Sequence, residues 1–122
     1  MIKGIEHIGI AAKDSTVLKN WYVDVFGMTV TRDNGKGGYF VADKNGTEIE
    51  IYPAEKEGET DNNNLTSGIR HIAFAVDDFD AEYKKLKEKN VEFVGEPIIK
   101  EKYSNLFFKD IEGNLLHIIE RR

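Results

Sequence analysis

Three histidines and one glutamate are the side chains in this sequence best suited to bind a metal ion. They are His7, His71, His117 and Glu50. The chain has no cysteine, which excludes thiolate ligands, a cysteine nucleophile and disulfides. Imidazole nitrogens with a carboxylate oxygen suit Ni, Zn, Co, Mn or Fe(II), and the missing sulfur argues against copper(I) and iron–sulfur clusters. Among those five divalent metals the sequence does not choose.

An internal repeat places these four residues in pairs. GIEHIGIAAKD near the amino terminus aligns with GIRHIAFAVDD in the middle of the chain, and six of the eleven positions are identical. Further along, YFVADKNGTEIEI aligns with LFFKDIEGNLLHI at the carboxyl end. Two blocks in the same order are typical of a duplicated structural unit. The alignment pairs His7 with His71 and Glu50 with His117.

Strand alternation predicts where these side chains point. The predicted strands that carry them are Ile5–Ala12, Thr47–Tyr52, Ile69–Val76 and Leu115–Ile119. Successive side chains of a strand face opposite sides, so the polar residues should point away from the isoleucines and leucines that pack on the helices. All four would then face any concavity that the sheets enclose. Small neighbours on that face predict room for an ion or ligand: Gly9, Ala11, Ala73 and Ala75.

Each half of the sequence has the pattern of a β-α-β-β-β module, so the predicted fold class is α+β. Asp14 or Ser15 should cap the first helix and Gly27 should end it. The strands predicted after this helix are Met28–Arg32, Tyr39–Asp43 and Thr47–Tyr52, the last two joined by an Asn45-Gly46 turn.

The second half repeats this order. Asp77 or Asp78 should cap a helix that ends near Asn90. The strands predicted after it are Val91–Val94, Leu106–Lys109 and Leu115–Ile119. We therefore predict one domain over residues 1–122, with module 1 at 1–54, a polar linker at 55–67 and module 2 at 68–122.

Charge and hydropathy exclude two classes of partner. The net charge of −5 argues against nucleic acid, because phosphate binding requires an excess of basic residues. No segment approaches the roughly 18 apolar residues of a membrane-spanning helix. Glu6 and His7 interrupt the start of the chain, where a signal peptide would need an apolar run. We therefore expect a cytoplasmic protein.

Four segments of the sequence resemble one known family. They are HIGIAAKD, NWYVDVFGM, HIAFAVDD and FFKDIEGNLLHIIE, and together they make the chain similar to the vicinal oxygen chelate superfamily. That group includes glyoxalase I, fosfomycin-modifying enzymes, extradiol dioxygenases and bleomycin-binding proteins. The resemblance implies two tandem βαβββ modules whose curled mixed sheets surround a cleft that binds a divalent metal. In glyoxalase I-like members the ligands occupy the positions matched here by His7, Glu50, His71 and His117.

The resemblance also implies an assembly and a reaction. Small two-module members often form dimers that share each metal site, so His7 and Glu50 would come from one subunit and His71 and His117 from the other. The implied reaction is that of a metal-dependent lyase or isomerase acting on a small substrate with adjacent oxygens, with Glu50 moving a proton. The alternatives are a fosfomycin-type transferase, a dioxygenase, and a non-catalytic antibiotic-binding protein.

One position departs from the family pattern. Glutamate usually stands four residues after the glycine of the last hairpin, whereas this chain has His117 there. Glu120 could replace the missing carboxylate only if a β-bulge turned it to the same face. The substrate is not identified by the sequence, and we expect its recognition to depend on the predicted loops Asp33–Gly38, Gly58–Ser67 and Glu101–Asn105.

Overall fold

Two helices and eight strands form the part of the chain that the computed structural model describes, residues 1–59 and 63–122. The first module contains β1 (His7–Ala12), α1 (Ser15–Phe26), β2 (Thr29–Asp33), β3 (Tyr39–Ala42) and β4 (Glu48–Pro53). The second contains β5 (Ile72–Ala75), α2 (Phe79–Glu88), β6 (Glu92–Ile99), β7 (Tyr103–Lys109) and β8 (Leu115–Arg121). Thr60, Asp61 and Asn62 of the predicted linker lie outside the described residues. The α+β fold with two tandem βαβββ modules is confirmed.

Each module forms one open, mixed four-stranded sheet. The strand orders are β1-β4-β3-β2 and β5-β8-β7-β6. In both sheets the first strand runs parallel to the last strand of its module, and the other pairs are antiparallel. The chain divides into compact units at residues 1–58 and 59–122, one for each sheet.

The helix boundaries follow from local capping chemistry. Asp14 accepts a hydrogen bond from the Val17 backbone N–H at 3.1 Å, and Asp78 accepts one from Ala81 at 3.0 Å. These contacts satisfy backbone donors that an isolated helix end leaves unpaired. Gly27 ends α1 with φ of 67°, a left-handed conformation that glycine adopts without a Cβ clash.

Apolar side chains from helix and sheet form a separate core in each unit. In the first, Leu18 and Tyr22 of α1 are fully buried, as are Val41 and Ile51 of the sheet. In the second, the buried residues include Phe79, Leu86, Leu106, Phe108, Leu116 and Ile118. Burial in β4 alternates as predicted, since Ile49 and Ile51 are buried and their neighbours are more exposed. In β8 four consecutive residues are buried, and the two faces are distinguished by pairing: Leu116 pairs with the buried Phe108, and His117 pairs with Phe107.

Several strand boundaries differ from the predictions. β1 and β5 begin at His7 and Ile72, later than expected, and Ile5 and Ile69 are exposed. β6 continues to Ile99, because a register irregularity after Val94 lets the strand pass Gly95 and Pro97 and resume pairing with β7.

The loop predicted at Glu101–Asn105 is correspondingly shorter. Its last three residues begin β7, since Ser104 and Asn105 pair with the extended end of β6. β8 also runs two residues further than predicted, to Arg121. Within residues 1–59 and 63–122, neither helix is long and apolar enough to cross a membrane.

Candidate metal centre

His7 and Glu50 meet on the face of the first sheet that is turned away from α1. β1 and β4 are parallel neighbours, and Gly9 is paired with Glu50, so His7 lies two residues earlier on the same face. The His7 Nε2 atom is 3.6 Å from Glu50 Oε1. Both side chains are somewhat more than one-third exposed. We call His7 and Glu50 the first pair.

Glu6 fixes the hydrogen-bonding role of the His7 ring. Its Oε1 atom is 2.6 Å from His7 Nδ1. A carboxylate can only accept a hydrogen bond, so Nδ1 carries the hydrogen. In the neutral imidazole the lone pair is then on Nε2, the nitrogen that faces Glu50. Metal-binding histidines are commonly oriented by an outer acceptor of this kind.

His71 and His117 form an equivalent second pair on the second sheet. Their ring centroids are 4.7 Å apart, with an interplanar angle of 83°. The side-chain oxygen of Asn64 lies 2.9 Å from His71 Nδ1. An amide oxygen also accepts hydrogen bonds, so the neutral His71 ring has its lone pair on Nε2, as His7 does.

A phenylalanine packs against the first histidine of each pair. The Phe40 ring meets His7 edge-on, with centroids 5.4 Å apart, and Phe107 meets His71 at 5.3 Å. Phe107 also stacks on His117, at 4.5 Å and 15°. The repeat in the sequence thus reappears as the same arrangement of side chains in both sheets.

His117 is the buried member of the second pair. Its side chain lies on the predicted face, yet the residue is only 6% exposed, and its Nδ1 atom has no hydrogen-bond partner among the described residues. Burial, reinforced by the nearby His71, lowers the pKa of His117 from 6.5 to about 4. The ring is therefore neutral near pH 7, which is the state required of a metal ligand.

The structure disagrees with two expectations about this face: the open space beside Gly9 and the possible use of Glu120 as a ligand. The space beside Gly9 was expected to accommodate an ion or ligand, but the Tyr52 ring fills it: a Cβ atom on Gly9 would lie 3.3 Å from the Tyr52 hydroxyl. Glu120 is engaged elsewhere, because it accepts hydrogen bonds from the Phe79 backbone N–H and from Arg122. β8 pairs with β7 without a register shift at Glu120, so no bulge turns it toward His117.

The donor set fits a divalent ion, although each unit supplies only part of it. In residues 1–59 and 63–122, no three His, Asp or Glu side chains gather into a single ligand group. The structure brings the predicted ligands together as two pairs, one in each unit. Two donors each about 2.1 Å from one ion lie about 3 to 3.5 Å apart, close to the 3.6 Å between His7 Nε2 and Glu50 Oε1. The unpartnered His117 Nδ1 is a further sign of a ligand site.

Sequence reasoning missed the outer residues of this centre. Glu6 directly precedes the predicted ligand His7, so a contact between the two side chains could have been inferred from the sequence. Strand parity also places Phe40 on the face of Glu50. Asn64 gave no signal, because it belongs to a polar segment seven residues before His71.

Comparison with known proteins gives a consistent result over the whole chain. Residues 4–118 match the sequence model of the Glyoxalase/Bleomycin resistance protein/Dioxygenase superfamily. The chain is 31% identical to the uncharacterized protein YaeR of Escherichia coli (strain K12), and the alignment covers 98% of each chain.

Solved structures share the fold at lower identity. A glyoxalase/dioxygenase from Nostoc punctiforme superposes with a TM-score of 0.82 at 18% identity, over 98% of this chain and 92% of that one. The genomically encoded fosfomycin resistance protein FosX from Listeria monocytogenes gives 0.80 at 21% identity, over 100% and 96%. At identities this low, the likeness is one of fold.

Proposed function

The chain belongs to the glyoxalase/bleomycin resistance protein/dioxygenase superfamily, and from this membership we propose that it is a metal-dependent lyase or isomerase of the glyoxalase type. The resemblance predicted from the sequence is thus confirmed at the level of the family. Superfamily members typically use divalent metal ions and bind small-molecule substrates. The observation that carries the proposal is the first pair, in which His7 Nε2 and Glu50 Oε1 approach to 3.6 Å.

The proposed metal ligands are His7, Glu50, His71 and His117. Their nitrogen and oxygen donors suit Ni, Zn, Co, Mn or Fe(II). A divalent ion held by them would supply Lewis acidity to a substrate that has adjacent oxygens, and this would make its neighbouring C–H bond more acidic. The outer acceptors Glu6 and Asn64 keep the two exposed histidines in the ligand-competent tautomer.

A homodimer is part of the proposal. Each pair offers two donors, fewer than the three or four that protein metal sites commonly provide. We propose that the first pair of one subunit and the second pair of its partner complete one centre. The superfamily supports this assembly, since its members often form dimers. We also propose a cytoplasmic location, which rests on the sequence alone.

Glu50 is the proposed proton carrier. Its carboxylate is 38% exposed, so a substrate bound on this face can reach it. Glu50 would accept a proton from the carbon beside a substrate oxygen and return it to the neighbouring carbon, which is general acid–base catalysis. Glu48 is not equivalent, because its carboxylate is hydrogen-bonded to the Thr31 hydroxyl.

Metal analysis of the purified protein tests the site. Wild-type protein should contain stoichiometric divalent metal, and His7→Ala and His71→Ala should each lose most of it, whereas Glu48→Gln should retain it as a matched control on the same strand face. Metal content that is unchanged in both histidine variants would refute the ligand assignment. A mass of one chain in light scattering would contradict the shared site.

Turnover tests the role of Glu50. We expect Glu50→Gln to reduce turnover of methylglyoxal and thiol about 100-fold or more, the usual effect of losing a general base, and Glu48→Gln to leave it near the wild-type value. Full turnover by a metal-loaded Glu50→Gln protein would exclude Glu50 as the base. Methylglyoxal and thiol are the probe because the proposed reaction is that of a glyoxalase.

A further inference from the structure

A cavity of about 280 Å³ opens beside Glu50 in the first unit. Its lining includes Arg32, Asn34, Phe40, Glu50 and Tyr52. Most of these residues belong to the sheet, and Asn34 comes from the turn between β2 and β3. The cavity therefore adjoins the proposed proton carrier directly, and it contains one cationic side chain, that of Arg32.

Strand register aligns Arg32 with Glu50. Arg32 is paired with Phe40, and Phe40 is paired with Glu50, so the three residues form one row across β2, β3 and β4. Directly paired residues project from the same face of a sheet. With strands about 4.8 Å apart, the Cα atoms of Arg32 and Glu50 are separated by roughly 10 Å, a span that a small molecule can bridge.

The Arg32 guanidinium contacts one aromatic ring and has its hydrogen-bond donors available. It lies over the Phe40 ring, 4.9 Å from the centroid. A guanidinium that contacts the face of a ring can still donate its N–H groups to a carboxylate or similar oxyanion. Within the described residues, no hydrogen bond or ion pair occupies those groups. The neighbouring Asp33 also lines the cavity, and its carboxylate accepts a hydrogen bond from the Gly35 backbone N–H.

The repeat shows that the fold does not require an arginine here. The corresponding row of the second sheet is Val94, Phe107 and His117. Phenylalanine and a proposed ligand recur in both rows, whereas the arginine of the first row is replaced by valine in the second. Arg32 is therefore a feature of the first sheet alone, beside the cavity.

We propose that Arg32 binds an anionic substituent of the substrate, which makes the substrate a small acid. Its adjacent oxygens would lie at the Glu50 end of the cavity and its carboxylate, or a similar oxyanion, at the Arg32 end. This inference rests on the proposed function of the Glu50 site. A chain with a net charge of −5 repels anions at long range, so a local cation is needed to hold one.

Two matched chelators test the inference on cobalt-loaded protein. Acetohydroxamate and succinomonohydroxamate present the same pair of adjacent oxygens to a metal, but only the second has a distant carboxylate. We expect the carboxylated probe to bind about tenfold more tightly than the neutral one, as a charge-assisted hydrogen bond would give. Arg32→Gln should bring the ratio of the two dissociation constants near one. Lys44→Gln also removes a positive charge, but away from the cavity, and should keep the ratio of the wild type.

A ratio near one in the wild type, or a raised ratio that persists in Arg32→Gln, would overturn the inference while leaving the metal site intact. If the protein binds no cobalt, the proposed function fails. Anion binding by Arg32 is then tested separately on the metal-free protein. Inorganic phosphate should shift the NMR resonance of the Arg32 Nε–H group saturably, in wild type and in Lys44→Gln alike. An Arg32 resonance that phosphate leaves unmoved would refute the anion site.

Discussion

His117→Gln is expected to make the metal-free protein less sensitive to acid. Burial, with a smaller contribution from His71, lowers the pKa of His117 from 6.5 to about 4 in the folded chain. Between these two values the unfolded chain binds a proton that the folded chain excludes. The free energy of unfolding therefore falls as pH decreases from 6.5 toward 4, and glutamine, which does not titrate, abolishes this part of the loss.

The size of the effect follows from the two pKa values. Relative to pH 8, His117 should lower the free energy of unfolding by about 1.4 kcal/mol at pH 5.5 and about 2.5 kcal/mol at pH 4.5. Because His117 is only 6% exposed, solvent screens its interactions little, and the shift in its pKa corresponds to a change in the free energy of unfolding. Carboxylates that titrate in the same range contribute equally to wild type and variant, so the difference between the two proteins isolates His117.

Urea unfolding in the presence of a chelator provides the measurement. Far-UV circular dichroism would give the free energy of unfolding at pH 8, 5.5 and 4.5. Protein concentration is held constant, because the stability of the proposed dimer would depend on it. His117→Phe, a second replacement that cannot titrate, controls for the change of side chain. The lowered pKa of His117 would be refuted if the free energy of unfolding fell equally with pH in all three proteins: wild type, His117→Gln and His117→Phe.

Three further substitutions have expected outcomes of their own. Glu6→Ala should weaken metal binding about tenfold or more in a chelator competition, because His7 loses its outer acceptor, whereas Glu55→Ala, at an exposed carboxylate, should not. Asp78→Ala should lower the free energy of unfolding by about 1 kcal/mol in urea, because the Ala81 N–H loses its cap; an unchanged midpoint would contradict that role. Leu18→Ala should lower the free energy of unfolding by about 2 to 5 kcal/mol in the same assay, since the side chain is fully buried. A loss below about 1 kcal/mol would mean that neighbouring side chains fill the space left by Leu18.

The elements that the sequence predicted well depend on local chemistry. Asp14 and Asp78 cap their helices as expected, and Gly27 ends α1, because capping involves only a few neighbouring residues. The faces of His7, Glu50 and His117 also followed from sequence, since alternation is a property of any extended backbone, whereas His71 lies just before β5. The α+β modules and their repeat were predictable for the same reason.

Predictions failed where distant residues decide the conformation. Gly95 and Pro97 have the pattern of a strand end, yet β6 continues past them because Ser104 and Asn105 offer partners on β7. The start of β5 illustrates the opposite error: Ile69 is apolar but exposed, and pairing with β8 begins only at Ile72.

The sequence by itself determined the two-module architecture, the family and the residue types that can bind a divalent ion. The architecture followed because periodicity, capping and the repeat can be read directly from the sequence, whereas the family followed from the resemblance of four segments to known members. Only the tertiary structure decided which side chains surround those residues: Tyr52 over Gly9, Asn64 on His71, and Arg32 in one row with Glu50. These neighbours are set by strand register and loop path, which depend on pairing between residues far apart in the chain.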